Sequence, residues 1–130
     1  MSDHTGPKIK TVKVPGTEHP ITVERNAHRV VVTVAGRIVA DTREALTLRE
    51  ASYSAVQYVP RKDAKMALLA PTGRVTHCPY KGDANYFSIK ADGKTIENAI
   101  WTYETPFPAM AEIAGHLAFY PDKVTIEEVT

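Results

Sequence analysis

The chain has 130 residues, of which 43% are hydrophobic and 24% charged, and its formal net charge at pH 7 is +1. This length and composition are typical of one globular domain, and the near-neutral charge argues against bulk nucleic-acid or membrane-surface binding. The single cysteine, Cys78, excludes an internal disulfide and a zinc site built from several cysteines. The sequence contains neither the apolar core of a signal peptide nor a membrane span, so we expect a cytoplasmic protein.

The N-terminal part predicts an arm followed by a β-hairpin. Residues 1–17 are largely polar and contain glycine and proline, which indicates an arm of uncertain order ahead of a single β-rich domain over residues 18–130. Residues 30–34 and 37–41 are β-branched runs on either side of Ala35-Gly36. Two such runs around a two-residue turn with glycine predict a hairpin.

Further strands are predicted along the rest of the chain. Asp92-Gly93 is the strongest turn signal in the sequence and indicates a second hairpin, whose first strand is residues 86–90. Alternating or β-branched segments predict the other strands at residues 45–49, 56–59, 74–77, 99–103 and 124–129.

Two short helices are predicted between these strands. Asp63 can cap a first helix over residues 63–69, which Pro71 ends. Met110, Ile113, Ala114 and Leu117 follow the i, i+3, i+4, i+7 spacing of a second helix. The elements together predict one mainly β, mostly antiparallel domain with two short helices.

Several motifs give the chain a family resemblance. CPYKGDA at 78–84 and YVPRKD at 58–63 are the most specific, and VADT (39–42), LRE (48–50), WTY (101–103) and AFYP (118–121) occur with them in a consistent order. On these motifs the chain resembles the domain-of-unknown-function family 427 over about residues 19–127. The resemblance implies two antiparallel sheets in a tent-like or small open-barrel arrangement, and it carries a loose label as nucleotidyltransferase-like.

The segment at residues 77–84 is the first candidate site. It brings an imidazole, a thiol, a phenol, an ammonium group and a carboxylate together around Gly82. Lys81 is a candidate to bind an anion, to take part in catalysis or to lower the pKa of the Cys78 thiol, and Cys78 is a candidate catalytic nucleophile. The alternative is structural, with a buried Cys78 and a solvated Lys81. Neighbouring strand residues face opposite ways, so His77 is badly oriented to act as a base for Cys78.

Arginines beside carboxylates form the second candidate group. Arg49 and Arg61 can each grip a carboxylate or phosphate with two hydrogen bonds, and Glu50 is a candidate general base. The alternative for these residues is a set of ion pairs between strand ends, with Asp63 as a helix cap.

Aromatic residues form the third group. Tyr58, Tyr86, Trp101 and Tyr103 either build a stacking wall for a planar ligand or pack on a half-buried sheet.

These candidates leave three hypotheses for function. The first is a small domain that binds an anionic, nucleotide-like or planar molecule through Arg49, Arg61, Lys81 and the aromatic group, with or without enzymatic activity. The second is a metal-dependent nucleotidyltransferase, and the third is a protein-interaction domain without chemistry. The sequence contains no phosphate-loop or dinucleotide motif and no acidic pair or histidine spacing for a metal, so we expect neither a cofactor nor a tight metal site.

Overall fold

The structure is a computed structural model that describes residues 11–130. It contains ten β-strands and three short 3-10 helices within this range. The strands are β1 Ile21–Arg25, β2 Arg29–Val34, β3 Arg37–Thr42, β4 Leu46–Glu50, β5 Val56–Val59, β6 Leu69–Cys78, β7 Gly82–Ala91, β8 Lys94–Thr102, β9 Leu117–Phe119 and β10 Thr125–Val129.

The strands form two antiparallel sheets, neither of which closes into a barrel. The large sheet has seven strands in the order β1-β4-β5-β9-β8-β7-β6, and the small sheet has three in the order β10-β2-β3. The predicted mainly β domain of two antiparallel sheets is therefore confirmed.

The large sheet has two different faces, because successive residues of a strand point to opposite sides. Its inner face packs against the small sheet. Phe87, Ile100 and Phe119 are paired neighbours on β7, β8 and β9, and they share one buried cluster with Val32 and Val39 of the small sheet. This cluster is the main core of the domain.

The outer face carries a second buried cluster. Tyr58, Tyr86 and Tyr103 belong to it. The 3-10 helix Pro108–Ile113 contributes Met110 and Ile113 to the same cluster. The outer face therefore holds a layer of aromatic side chains outside the contact between the two sheets.

Both predicted hairpins are present. Ala35 and Gly36 have φ of 51° and 80°, and Asp92 and Gly93 have φ of 52° and 76°. Positive φ at both central residues is the conformation of a type I′ turn, whose twist matches that of paired strands. The turns join β2 to β3 and β7 to β8, as the two glycine-containing dipeptides predict.

The helical segments are shorter than predicted. The first predicted helix is replaced by two 3-10 turns, Arg61–Asp63 and Met66–Leu68. The second is the 3-10 helix Pro108–Ile113, and Leu117 belongs to β9 instead, where it pairs with Val59 and Thr102. The pairing of Leu117 with two strands stabilises β9 more than the predicted helix, because Gly115, with φ of 72°, interrupts that helix.

The structure describes only part of the N-terminal arm that is predicted for residues 1–17. Residues 1–10 lie outside the described residues. The Lys13 N–H donates to the Pro79 carbonyl at 2.7 Å, and His77 Nε2 lies 2.7 Å from the Thr11 carbonyl oxygen. The segment from residue 11 onward therefore runs along the turn between β6 and β7. Among the described residues, no helix is long and apolar enough to span a membrane.

Candidate functional site

A cavity of about 290 Å³ opens on the outer face of the large sheet. We call it the tyrosine cavity, because five tyrosines and the only tryptophan of the chain line it. Its lining residues are Leu48, Glu50, Tyr53, Ser54, Val56, Tyr58, Lys81, Tyr86, Trp101, Tyr103 and Tyr120.

The register of four strands builds the aromatic wall. Tyr86 pairs with Trp101, Trp101 with Ala118, and Ala118 with Tyr58, so these four residues form one row across β7, β8, β9 and β5. Trp101 Nε1–H donates to the Tyr58 hydroxyl at 3.2 Å, and the Trp101 ring packs against Tyr120 at 4.6 Å. The indole is thus held by its N–H group and by ring contacts with Tyr120 and, edge-on at 6.4 Å, with Tyr58.

A lysine–glutamate pair lies at one end of this wall. Glu50 follows Leu48 by two residues on β4, so both side chains face the cavity. Lys81 is only 6% exposed, and its Nζ donates a short hydrogen bond to Glu50 Oε1. Cys78 Sγ lies 3.7 Å from the same Nζ. A buried ammonium group needs such a partner to remain charged.

Gly82 sets the turn from which Lys81 points into the cavity. Gly82 has φ of 112°, a conformation that residues with a Cβ rarely adopt. The Lys81 carbonyl accepts a hydrogen bond from the Phe107 N–H at 3.0 Å, which ties the turn to the segment before the 3-10 helix Pro108–Ile113. The CPYKGDA motif is therefore a tight connection between β6 and β7 that fixes the position of one cation.

His19 completes the charged cluster from the N-terminal segment. Its Nε2 lies 2.7 Å from Glu50 Oε2, and its ring stacks on Tyr80 at 4.0 Å and an interplanar angle of 8°. Burial alone would raise the pKa of Glu50, but the hydrogen bonds with Lys81 and His19 outweigh burial and hold that pKa below its ordinary value. Glu50 is therefore the shared anion between an ammonium group and an imidazole.

The tyrosines of the cavity differ in acidity. Burial raises the pKa of Tyr58 and of Tyr103 far above the ordinary value. Burial and the Tyr86 hydroxyl together raise the pKa of Tyr120 to about 12. In Tyr86, burial is outweighed by hydrogen bonds with Thr76, Tyr120 and Arg74, which lower the pKa of its hydroxyl. Tyr86 is the phenol of this group whose deprotonation the surroundings favour.

Most of the residues predicted for a site lie in the tyrosine cavity. Its lining includes two of the four charged candidates, Glu50 and Lys81, together with all four aromatic candidates: Tyr58, Tyr86, Trp101 and Tyr103. Cys78 is partly buried and touches Lys81, although it does not line the cavity. Ligand binding or catalysis by any of these residues stays a prediction.

The two predicted arginines do not lie with this group. Arg49 is exposed on β4 between Leu48 and Glu50, so alternation turns it away from the cavity. Arg61 donates to the Gly115 carbonyl at 2.7 Å and to Glu104 at 3.0 Å, which agrees with the ion-pair alternative. The expected convergence of Arg49, Arg61 and Lys81 in one pocket is therefore wrong.

Asp63 does not cap a helix. It is the last residue of the 3-10 helix Arg61–Asp63, and its Oδ2 accepts a hydrogen bond from the Thr42 hydroxyl at 2.8 Å. The carboxylate thus connects β3 to the segment after β5.

The sequence interpretation missed three hydroxyl-bearing residues that line the cavity, and His19, which contacts Glu50 without lining the cavity. Tyr120 stands in the AFYP motif but was not selected, and Tyr53 and Ser54 lie in the connection between β4 and β5. His19 carries no local signal. Its role depends on the pairing of β1 with β4, in which Ile21 lies opposite Glu50. Recognising β1 as a strand would have pointed to His19, two residues earlier.

The donor set of the described residues offers no metal-binding cluster. Within residues 11–130, no three histidine, cysteine, aspartate or glutamate side chains come together as a group able to hold a metal ion. Glu50 and His19 are a pair, and the third group at that carboxylate is the Lys81 ammonium.

Comparison with protein families gives one match. The family model described as a domain of unknown function, DUF427, matches residues 22–130. The match begins within β1 and includes all the residues that line the tyrosine cavity. The comparison with curated proteins gives no match.

Proposed function

Since the chain belongs to domain-of-unknown-function family 427, whose description states no activity, we propose a function from its cavity: the domain binds a small, planar, uncharged molecule. The observation that carries this proposal is the Lys81–Glu50 pair inside an aromatic-walled cavity. Aromatic walls favour a flat ligand, and a few polar groups orient it.

The dimensions of the cavity limit the size of the ligand. Its volume of about 290 Å³ is near the lower end of the range of roughly 300–1,000 Å³ typical of small-molecule sites. A molecule with one or two rings fits this space. Trp101 and Tyr86, paired side by side on neighbouring strands, offer the contact surface for its faces or edges.

The charges of the lining favour a neutral ligand over an anion. Among residues 11–130, Lys81 and Glu50 are the only charged residues of the lining, and their formal charges cancel. The Lys81 ammonium has three N–H donors, and the contacts found within residues 11–130 engage two of them, one with Glu50 Oε1 and one with Cys78 Sγ. The third N–H of Lys81 is a donor that lies beside the Glu50 carboxylate, which is an acceptor. This pair complements a ligand edge on which an acceptor stands next to a donor, as in an amide, a lactam or a nucleobase.

The two alternative functions receive less support. Nucleotidyl transfer of the usual metal-dependent kind uses clustered carboxylates, and residues 11–130 contain no such group. An interaction domain would present its motif residues along an exposed strand edge. Here the cavity lining combines residues from three motifs: Leu48 and Glu50 of LRE, Lys81 of CPYKGDA, and Trp101 and Tyr103 of WTY.

Trp101 makes the proposal directly measurable, because it is the only tryptophan in the chain and lines the cavity. We expect benzamide, uracil or a similar planar amide to change the fluorescence of Trp101 saturably. Lys81→Met should weaken binding about 10- to 100-fold, since a hydrogen bond to a charged group contributes about 1.5–3 kcal/mol. Lys90→Met, which removes an exposed lysine of β7 outside the lining, is the matched control.

Charge selectivity separates this proposal from anion binding. Benzoate matches benzamide in shape but carries a negative charge, and we expect it to bind more weakly. Tighter binding of benzoate would favour an anion site instead. A broad panel of planar amides, lactams and nucleobases without any effect on Trp101 fluorescence would refute the proposal.

A further inference from the structure

A second cavity adjoins the tyrosine cavity at the rim of the domain. Its volume is about 330 Å³, and we call it the rim cavity. Its wall includes residues of the β4–β5 connection, of β5, of the segment around β9, and of β10 from the small sheet. Six of its lining residues are apolar: Ala55, Val56, Trp101, Phe119, Pro121 and Ile126.

The two cavities share part of their walls. Ser54, Val56 and Trp101 line both. The Trp101 indole has its N–H engaged by the Tyr58 hydroxyl, so its contribution to the rim cavity is apolar ring surface. Ser54 adds only a short side chain at the shared boundary. A ligand that contacts Trp101 in the tyrosine cavity is therefore next to an apolar space.

The chemistry of the two cavities is complementary. The tyrosine cavity contains the Lys81–Glu50 pair and tyrosine hydroxyls, whereas the rim cavity is mostly hydrocarbon and aromatic surface, with Gln57 and Glu128 as its larger polar residues. Glu128 accepts a hydrogen bond from Asn26 at 2.9 Å, and Gln57 accepts one from Asn26 at 3.0 Å. These two polar side chains are therefore held by the protein itself.

We propose that the rim cavity is a second subsite and that the ligand is amphipathic. A planar polar head group occupies the tyrosine cavity, and a hydrocarbon substituent of the head group enters the rim cavity past Trp101 and Val56. This inference rests on the proposed function for the position of the head group. It narrows the ligand class from planar amides or lactams to those that carry an apolar substituent.

A homologous series of probes tests the second subsite. Benzamide, 4-ethylbenzamide and 4-butylbenzamide differ only in the length of the alkyl chain, and binding is followed by calorimetry and by Trp101 fluorescence. Each methylene group removed from water should tighten binding about three- to fourfold. We therefore expect 4-butylbenzamide to bind at least tenfold more tightly than benzamide.

A pair of variants on one strand locates the effect. Ile126→Asn places a polar group in the rim cavity and should remove most of the gain from the butyl chain, while benzamide binding stays unchanged. Val129→Asn makes the same kind of change at an exposed residue of β10 outside the cavity lining, and it should behave as wild type. Ile126→Ala is a milder variant for the case in which Ile126→Asn does not fold.

The outcomes distinguish the two proposals. If benzamide binds and the alkyl chain adds no affinity, or if the Ile126 and Val129 variants behave alike, the rim subsite is refuted and the proposed function stands. If only the alkylated probes bind, and Ile126 is required, the rim subsite stands, and the broad panel of planar molecules decides the proposed function separately. If no member of the series binds, the subsite is refuted, and the broad panel of planar molecules decides the proposed function separately.

Discussion

The two faces of the seven-stranded sheet show two different uses of the same strands. On the inner face, Ile89, Ile100 and Leu117 are fully buried against apolar neighbours. On the outer face, the same strands carry Tyr86, Trp101 and their neighbours around a cavity that contains an ion pair. Because a strand alternates its side chains between faces, each strand contributes one set of residues to the core and the other set to the cavity.

Under the proposed function, the inner face serves stability and the outer face serves ligand binding. The inner face is filled by apolar side chains from both sheets. The outer face leaves a cavity open and holds a buried lysine. Burial of a charged group costs free energy unless a partner compensates the charge or the protein uses it. We therefore expect inner-face substitutions to change stability and outer-face substitutions to change ligand binding.

The largest expected effect comes from truncation of the inner face. Ile89 is fully buried there on β7, and Ile89→Ala should lower the free energy of unfolding by about 2–5 kcal/mol, because it removes buried methyl groups and leaves a void. Val56→Ala, at a partly buried residue of the tyrosine cavity, should cost only about 1 kcal/mol, because that side chain already borders an open space.

Chemical denaturation measures both variants, and binding of benzamide measures the other half of the comparison. Ile89→Ala should retain wild-type affinity as long as it is folded. Equal destabilisation by the two variants, or a large loss of affinity in Ile89→Ala, would contradict the separation between the faces.

A smaller effect is expected from the charged pair on the outer face. Lys81→Met leaves Glu50 with the hydrogen bond to the His19 imidazole, and Glu50→Gln leaves the Lys81 ammonium buried without its carboxylate. Breaking a fully buried pair costs about 3–5 kcal/mol, and we expect about 1–3 kcal/mol here because the cavity opens to water.

The double variant tests whether the two charges act as a pair. Glu50→Gln/Lys81→Met should be less destabilised than the sum of the single variants, since neither charge is left alone. Denaturation of all four proteins gives the coupling free energy. Simple additivity would show that Lys81 and Glu50 do not depend on one another.

Local signals made much of the fold predictable. Gly36 and the dipeptide Asp92-Gly93 favour positive φ, and the structure has type I′ turns at Ala35-Gly36 and at Asp92-Gly93. Residues 56–59 were predicted as a strand with the bounds found for β5. β1 and β9 were missed because they depend on partners distant in sequence: β1 pairs with β4, and the three-residue β9 lies between β5 and β8.

The candidate site was predictable in its residue types and less so in its geometry. Glu50 and Lys81 were selected from two separate motifs, and the sheet brings them into contact. Arg49 was selected with them, but the orientation of β4 decides which of two neighbouring residues faces the cavity. That orientation follows from strand pairing and burial of Leu48, neither of which is local to the LRE motif.

The smallest expected effect is the pH dependence that Glu50 adds to stability. Hydrogen bonds with Lys81 and His19 hold the pKa of Glu50 in the folded protein below its value in the unfolded chain, despite the opposite effect of burial. Between these two pKa values the unfolded chain binds more protons than the folded one, so stability falls as the pH decreases through this window. The contribution is complete above the ordinary glutamate pKa of about 4.3 and is gone below the folded value.

Unfolding free energies measured from pH 6 down to pH 3 should therefore fall more steeply in wild type than in Glu50→Gln. The difference is bounded by one proton, which is about 1.4 kcal/mol per pH unit. Asp41 of the small sheet is the comparison, because its hydrogen bond with Arg29 also lowers its pKa and its side chain is more exposed than that of Glu50, so Asp41→Asn should remove a separate share of the slope. Added salt should weaken the Asp41 share more than the Glu50 share, since exposed charges are screened more strongly than buried ones. If Glu50→Gln keeps the full wild-type slope, the contacts of Glu50 with Lys81 and His19 do not lower its pKa in solution. The charged pair of the outer face then adds no pH-dependent stability through Glu50.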